Sequence, residues 1–201
     1  MKHIRFRFYT IVLALVATSL VIASCDDDND KDSGSGTAIV GNITATFTKG
    51  ALEYYGAHSD DTHNFDIYLG SSNVNFANKT GTGDLLYFEL FTDSDTFNGG
   101  TFDYNSDETE GTFGQAFLII NGNWSNETAE HYFEITGGTV TVTKSGTYDI
   151  TYTLTGYEYN LETFQPIGGP ESISGSYSGS LEYFDYTDFK SKTQIKDRHK
   201  K

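Results

Sequence analysis

Three groups of residues in this chain have types and spacings that could do chemistry. Asp103, Asn105 and Asp107 offer side-chain oxygens at alternate positions, with Glu108 and Glu110 beside them. Ca²⁺ takes about six to eight such oxygens. The stretch matches the Asp-x-Asn-x-Asp opening of a calcium loop, then departs from it: Glu108 stands where that loop turns on glycine, and Gly114 where it closes with a bidentate glutamate. A solvated acidic turn is the competing reading, and Asp93 with Asp95 forms a weaker pair of the same kind. His58 and His63 flank Asp60 and Asp61, but zinc needs about four ligands and His131 lies far away in sequence. Surface histidines are the simpler reading there. Trp124, Tyr157, Tyr159 and Phe164 fall in expected loops. Aromatic faces at a sheet rim suit the stacking of sugar rings, and rim loops commonly carry binding. Against this stands the reading that they cap the ends of a core.

No motif announces catalysis. A Gly-x-Ser-x-Gly elbow, a His-Glu-x-x-His helix and a phosphate loop are all absent from the sequence. Carboxylate pairs for glycoside hydrolysis need a defined separation across a cleft. With 28 acidic residues in the chain, any pairing by sequence alone is arbitrary. The expectation is a protein that binds without catalysis and carries no cofactor, Ca²⁺ being the one ion its loops suggest.

The net charge of −15 is unevenly placed. Lys2, Arg5 and Arg7 sit at the N-terminus, and a basic tail runs from Lys190 to Lys201. Between them lie only Lys31, Lys49, Lys79 and Lys144, with every acidic residue except Asp197. Nucleic acid requires a basic surface that displaces counterions, so it is excluded as a partner. Polyanions are disfavoured for the same reason. Neutral glycans, cations and apolar ligands fit.

The N-terminus supplies an address. A cationic start is followed by an apolar run from Tyr9 to Ile22, short for a membrane span and suited to a signal peptide. Ile22-Ala23-Ser24-Cys25 resembles a bacterial lipobox. The resemblance implies that residues 1–24 are removed and that Cys25, the single cysteine, carries acyl chains. Several chains at about 0.8 kcal/mol per buried CH₂ make a stable anchor. Asp26, Asp27 and Asp28 resemble the acidic export signal of surface lipoproteins in Bacteroidota. That resemblance implies an outer-membrane, cell-surface location. Residues 25–37, ending in Ser33-Gly34-Ser35-Gly36, read as a tether reaching about 20 Å on average. With one cysteine there is no internal disulfide, so the fold rests on its core.

Residues 38–189 must then form the positioning framework, before a basic tail over 190–201. Period-two alternation runs through almost all of it, the mark of antiparallel strands with one buried face. Expected inward positions include Phe65, Ile67 and Leu69; Leu86, Phe88 and Leu90; Val140 and Val142; and Tyr148, Ile150, Tyr152 and Leu154. Gly156 to Pro170 reads as a long loop. Over the last strand, Gly175 and Gly179 share a face with Ile173 and Tyr177, which implies a bend or a close backbone approach. The expected fold is all-β: one antiparallel meander of about nine or ten strands, closed as a β-sandwich or a flattened barrel to hide its edges. The hairpin from Gly137 to Thr151, with the later Gly175-Ser176-Tyr177-Ser178-Gly179, resembles calycin-like or lipocalin-like lipoproteins of Bacteroidota. The Gly-x-Trp of lipocalins has no counterpart near the first strand.

Together these features predict a lipid-anchored surface module that binds a neutral glycan or a partner protein. Two alternatives follow from the same elements. One is a carrier holding an apolar small molecule in a hollow lined by Phe88, Tyr148, Tyr152 and Tyr177. The other is an accessory subunit of an outer-membrane complex.

Overall fold

The computed structural model describes residues 33–59 and 62–187. Cys25, Asp26, Asp27 and Asp28, most of the expected tether, Asp60, Asp61 and the basic tail lie outside them.

The first elements are β1 (Ser35–Val40), β2 (Ile43–Phe47), β3 (Lys49–Ala57) and β4 (His63–Gly70). A short β5 (Val74–Asn75) precedes β6 (Thr80–Thr92), β7 (Gly99–Tyr104) and β8 (Thr112–Asn123). The chain ends in β9 (His131–Ser145), β10 (Thr147–Asn160), β11 (Gln165–Gly179) and β12 (Leu181–Asp185). They form one twelve-stranded, mostly antiparallel sheet curled into a half-barrel, in the order β12-β3-β4-β6-β8-β7-β9-β10-β11-β1-β2, with β5 on β6. Two pairs are parallel, β3 with β12 and β7 with β8.

The count exceeds the nine or ten expected because a hairpin between β1 and β2, the short β5 and a break between β11 and β12 add strands. Thr48 separates β2 from β3, and Ser180 separates β11 from β12. The two outermost strands of the sheet are therefore continuations of strands inside it. β1 and β2 form a hairpin, turning at Gly41 (φ 56°) and Asn42. Because β1 begins at Ser35, the last residues of the expected tether are strand.

The alternation places the core as anticipated. Val140, Val142, Ile150, Tyr152 and Leu154 are buried across the β9–β10 hairpin, and Phe65, Ile67, Leu69, Leu86, Phe88 and Leu90 meet them from β4 and β6. Phe88, Tyr152 and Tyr177 pack within this interior, and Tyr148 lies at its margin. Gly175 makes the expected close approach: a Cβ there would collide with Thr37 O and the Tyr152 hydroxyl. The bare backbone lets Tyr152 Oη donate across β11 to Thr37 O at 2.8 Å.

The expected loop from Gly156 to Pro170 is instead a continuation of β10 and β11, paired from Asn160↔Gln165 to Gly156↔Glu171 around a bulge. Its turn contains Phe164 at φ 52°. β1 covers β11 only from Ile173 onward. Among the described residues, positions 165–172 of β11 thus have a strand on one side only, and both prolines of the chain, Pro166 and Pro170, lie there. Proline cannot donate to a new strand, so the open edge resists pairing.

One feature departs from simple alternation. The outer face of β3, β4, β6 and β8 is covered as well. Ala51, Tyr68, Leu85 and Tyr87 are buried there beneath Val74 and Phe76, with Phe117, Ile119, Trp124 and Phe184 packed around them. The segment joining β4 to β6 folds back over the sheet to bring Val74 and Phe76 into place.

Candidate functional site: an aromatic and carboxylate face

Strand register builds this outer face. Ala51, Tyr68, Tyr87, Phe117, Glu134 and Tyr157 are successive direct partners across β3, β4, β6, β8, β9 and β10. Side chains at paired positions share a face. The rings accordingly touch in series. Centroids lie 5.7 Å apart for Trp124–Tyr68, 4.8 Å for Tyr68–Tyr87, 4.8 Å for Tyr87–Phe117 and 5.9 Å for Phe117–Tyr132. The spacing follows the strand separation of about 4.8 Å. The middle of the strip is covered: Tyr68 lies under Lys79 Nζ, 3.9 Å from its ring centre, and against Phe76. Both ends are half-buried and reach solvent. Trp124 forms one, and Phe117, Tyr132, Glu134, Tyr157 and Tyr159 form the other.

A second row runs beside the first. Glu53, Asp66 and Glu89 are direct partners on β3, β4 and β6. Glu53 is fully buried, yet it is compensated: Lys79 Nζ donates to its Oε1 and Tyr55 Oη to its Oε2 at 2.6 Å. Asp66 accepts from Tyr87 Oη at 3.0 Å and from Asn64 Nδ2 at 3.1 Å. Burial, and then the facing Glu89, push its pKa up to about 8 despite those two donors. Desolvation also lowers the Lys79 pKa, opposed by its contact with Glu53. At the open end, burial raises Glu134. Burial, with Glu134 and Tyr159 nearby, pushes the Tyr132 phenol up to about 12.

These groups suit recognition. Ring faces, neutral phenols and the half-buried carboxylate of Glu134 match the apolar faces and hydroxyls of a sugar. The buried acids are held by lysine, tyrosine and asparagine. A broad hollow of about 520 Å³ is lined by Thr82, Asn121, Asn123 and Thr128, at the end of β8 that leads into Trp124. Asp84 braces it, accepting from Thr46 N at 2.7 Å and Asn121 N at 3.0 Å.

The fold brings Trp124, Tyr157 and Tyr159 onto this one face, although Tyr157 and Tyr159 are strand residues, not loop residues as expected. Phe164 stands apart at the β10–β11 tip, 58 % exposed. Two oxygen donors of the expected calcium loop are engaged within the chain. Asp103 Oδ1 accepts from Thr139 Oγ1 at 2.6 Å, and Asn105 Oδ1 from Asp107 N at 2.9 Å. His58 pairs with Glu108 at 3.0 Å, whereas His63 contacts Tyr54 Oη at 2.8 Å. Among the described residues no group of three or more His, Cys, Asp or Glu is placed to hold a metal ion.

The sequence reading missed Glu53, Asp66, Glu89, Tyr132 and Glu134. Their trace was present in Asp66-x-Tyr68 and Tyr87-x-Glu89, where acids and aromatics share the outward parity. Only the register sets them side by side. Comparison with known protein families, curated proteins and solved structures finds no match to this chain.

Proposed function

We propose that this protein is a non-catalytic, lipid-anchored surface lipoprotein that binds a neutral glycan at the solvent-reaching ends of the outer aromatic face. The observation that carries the reading is the uncovered end of the ring series, where half-buried Phe117, Tyr132, Tyr157 and Tyr159 lie beside Glu134, with half-buried Trp124 at the other end. Half-buried rings on a rigid sheet offer stacking surface at little conformational cost. The acidic body repels anionic polymers and leaves neutral ones. The lipobox-like run ending at Cys25, with Asp26 to Asp28 behind it, supports anchoring at the outer membrane and display at the surface.

Calorimetric titration with neutral cello-, xylo- and mannohexaose, with oligogalacturonate as the anionic control, tests the ligand class. At least one neutral hexasaccharide is expected to bind, and Tyr157→Ala or Trp124→Ala to weaken it by roughly three- to tenfold. No neutral binding, or binding unchanged in both variants, overturns the reading. Cys25→Ala tests the anchor separately. The variant should leave the membrane fraction, and full retention after signal processing would refute lipidation.

A further inference from the structure

We propose that the hollow at one mouth of the half-barrel is a second binding site, for a small organic cation with an apolar body. It has a volume of about 310 Å³ and lies over Leu52, Phe65 and Phe97, all buried in the core. Tyr148 and Tyr183 wall it, and Asp95 and Lys144 stand at the rim. The size lies at the lower end of the range for small-molecule sites, and barrel mouths are a common place for them.

The geometry sets the sign of the ligand. Tyr183 is carried by β12, opposite Leu52 of β3, and leaves 55 % of its surface exposed, large for an aromatic side chain. Its ring and that of Tyr148 present π faces, which attract cations. Tyr148 already does so within the chain: Lys144 Nζ lies 5.5 Å from its centroid. Lys144 is engaged elsewhere too, donating to Phe97 O at 3.2 Å. Asp95 forms no salt bridge among the described residues, and Thr96 Oγ1 donates to it at 3.3 Å. Asp95 and Asp185 both act on the phenols around the mouth. After burial, Asp95 is the next cause holding the Tyr54 phenol above its ordinary pKa, and Asp185 then Asp95 act likewise on Tyr183. A ring between Tyr148 and Tyr183 over the apolar floor would direct an ammonium group at Asp95. A carboxylate ligand would meet Asp95 and Asp185, with Lys144 alone to offset them.

Benzyltrimethylammonium is the probe and 3-phenylpropanoate its anionic counterpart. Each is titrated into the purified full chain while backbone amide NMR signals are followed. The cation should shift Thr96, Phe97, Lys144 and Tyr183 saturably, at least about threefold more tightly than the anion. Asp95→Asn and Tyr183→Ala should each weaken it by about threefold or more. Both side chains are exposed, so the remaining spectrum reports that the fold is kept. Absence of saturable shifts at these amides, or tighter binding of 3-phenylpropanoate that is lost in Lys144→Gln, overturns the proposal.

Discussion

Asp66 makes the fold pH-sensitive in a direction opposite to that of an ordinary paired carboxylate. Its pKa stands near 8 in the folded chain, against 3.8 for the free side chain. Below pH about 4 the group is protonated in both states, and its neutral form is fully compatible with burial. Between pH about 4 and 8 the unfolded chain releases the proton while the folded chain retains it. Each pH unit in that window favours unfolding by about 1.4 kcal/mol. Across the window this comes to roughly 4–6 kcal/mol, comparable to the whole stability of a modest domain. Asp66→Asn keeps the shape and removes the titration. Urea unfolding of both proteins, followed by the fluorescence of Trp124 beside Tyr68, gives the difference at each pH. The variant should gain on the parent steadily from pH 4 to 8, with no further change once the parent is ionised. A difference that stays constant within about 1 kcal/mol over that range would refute the burial argument.

Three further outcomes follow from the packing. Lys79→Met removes the cation from buried Glu53 and should cost about 1–3 kcal/mol in urea unfolding, with part restored by adding Glu53→Gln. Gly175→Ala forces a methyl group onto Thr37 O and should cost about 1–3 kcal/mol or more, lowering the melting temperature by several degrees. Replacing Pro166 and Pro170 with Thr returns two donors to the one-sided stretch of β11, and light scattering should then show self-association at concentrations where the parent is monodisperse.

Much of this fold is legible one residue at a time, because a strand's side chains alternate and the inward set must be apolar. Val140, Val142, Ile150, Tyr152 and Leu154 announce themselves in that way, and Gly175 announces a close approach. The break at Ser180 carries no comparable signal, and alternation continues across the turn at Gly41 and Asn42, so counting strands by alternation gives too few. The stretch from Gly156 to Pro170 reads as a loop because both prolines of the chain fall in it, yet proline is tolerated on an edge that needs no donor. The site was half legible. Trp124, Tyr157 and Tyr159 stand out by type. That Glu53, Asp66 and Glu89 lie abreast depends on pairings between distant segments, which a single sequence does not encode locally. The cover over Tyr68 and Tyr87 was hidden for the same reason, since it comes from Val74 and Phe76 folding back.

The joining of the sheet's outermost strands to its interior constrains how the molecule can be made. β12 pairs with β3, and β1 pairs with β11, Ser35 lying against Ser178. The sheet cannot be completed until almost the last residue of the domain is available, and pairing over such sequence distance is slow. A chain synthesised from its N-terminus therefore holds β1 and β3 without their last partners until translation nears its end. On the proposed export route that delay is useful, because a polypeptide threaded through a membrane must arrive unfolded. The same topology makes C-terminal truncation before Leu181 the loss of an early strand's last partner, leaving β3 paired with β4 alone.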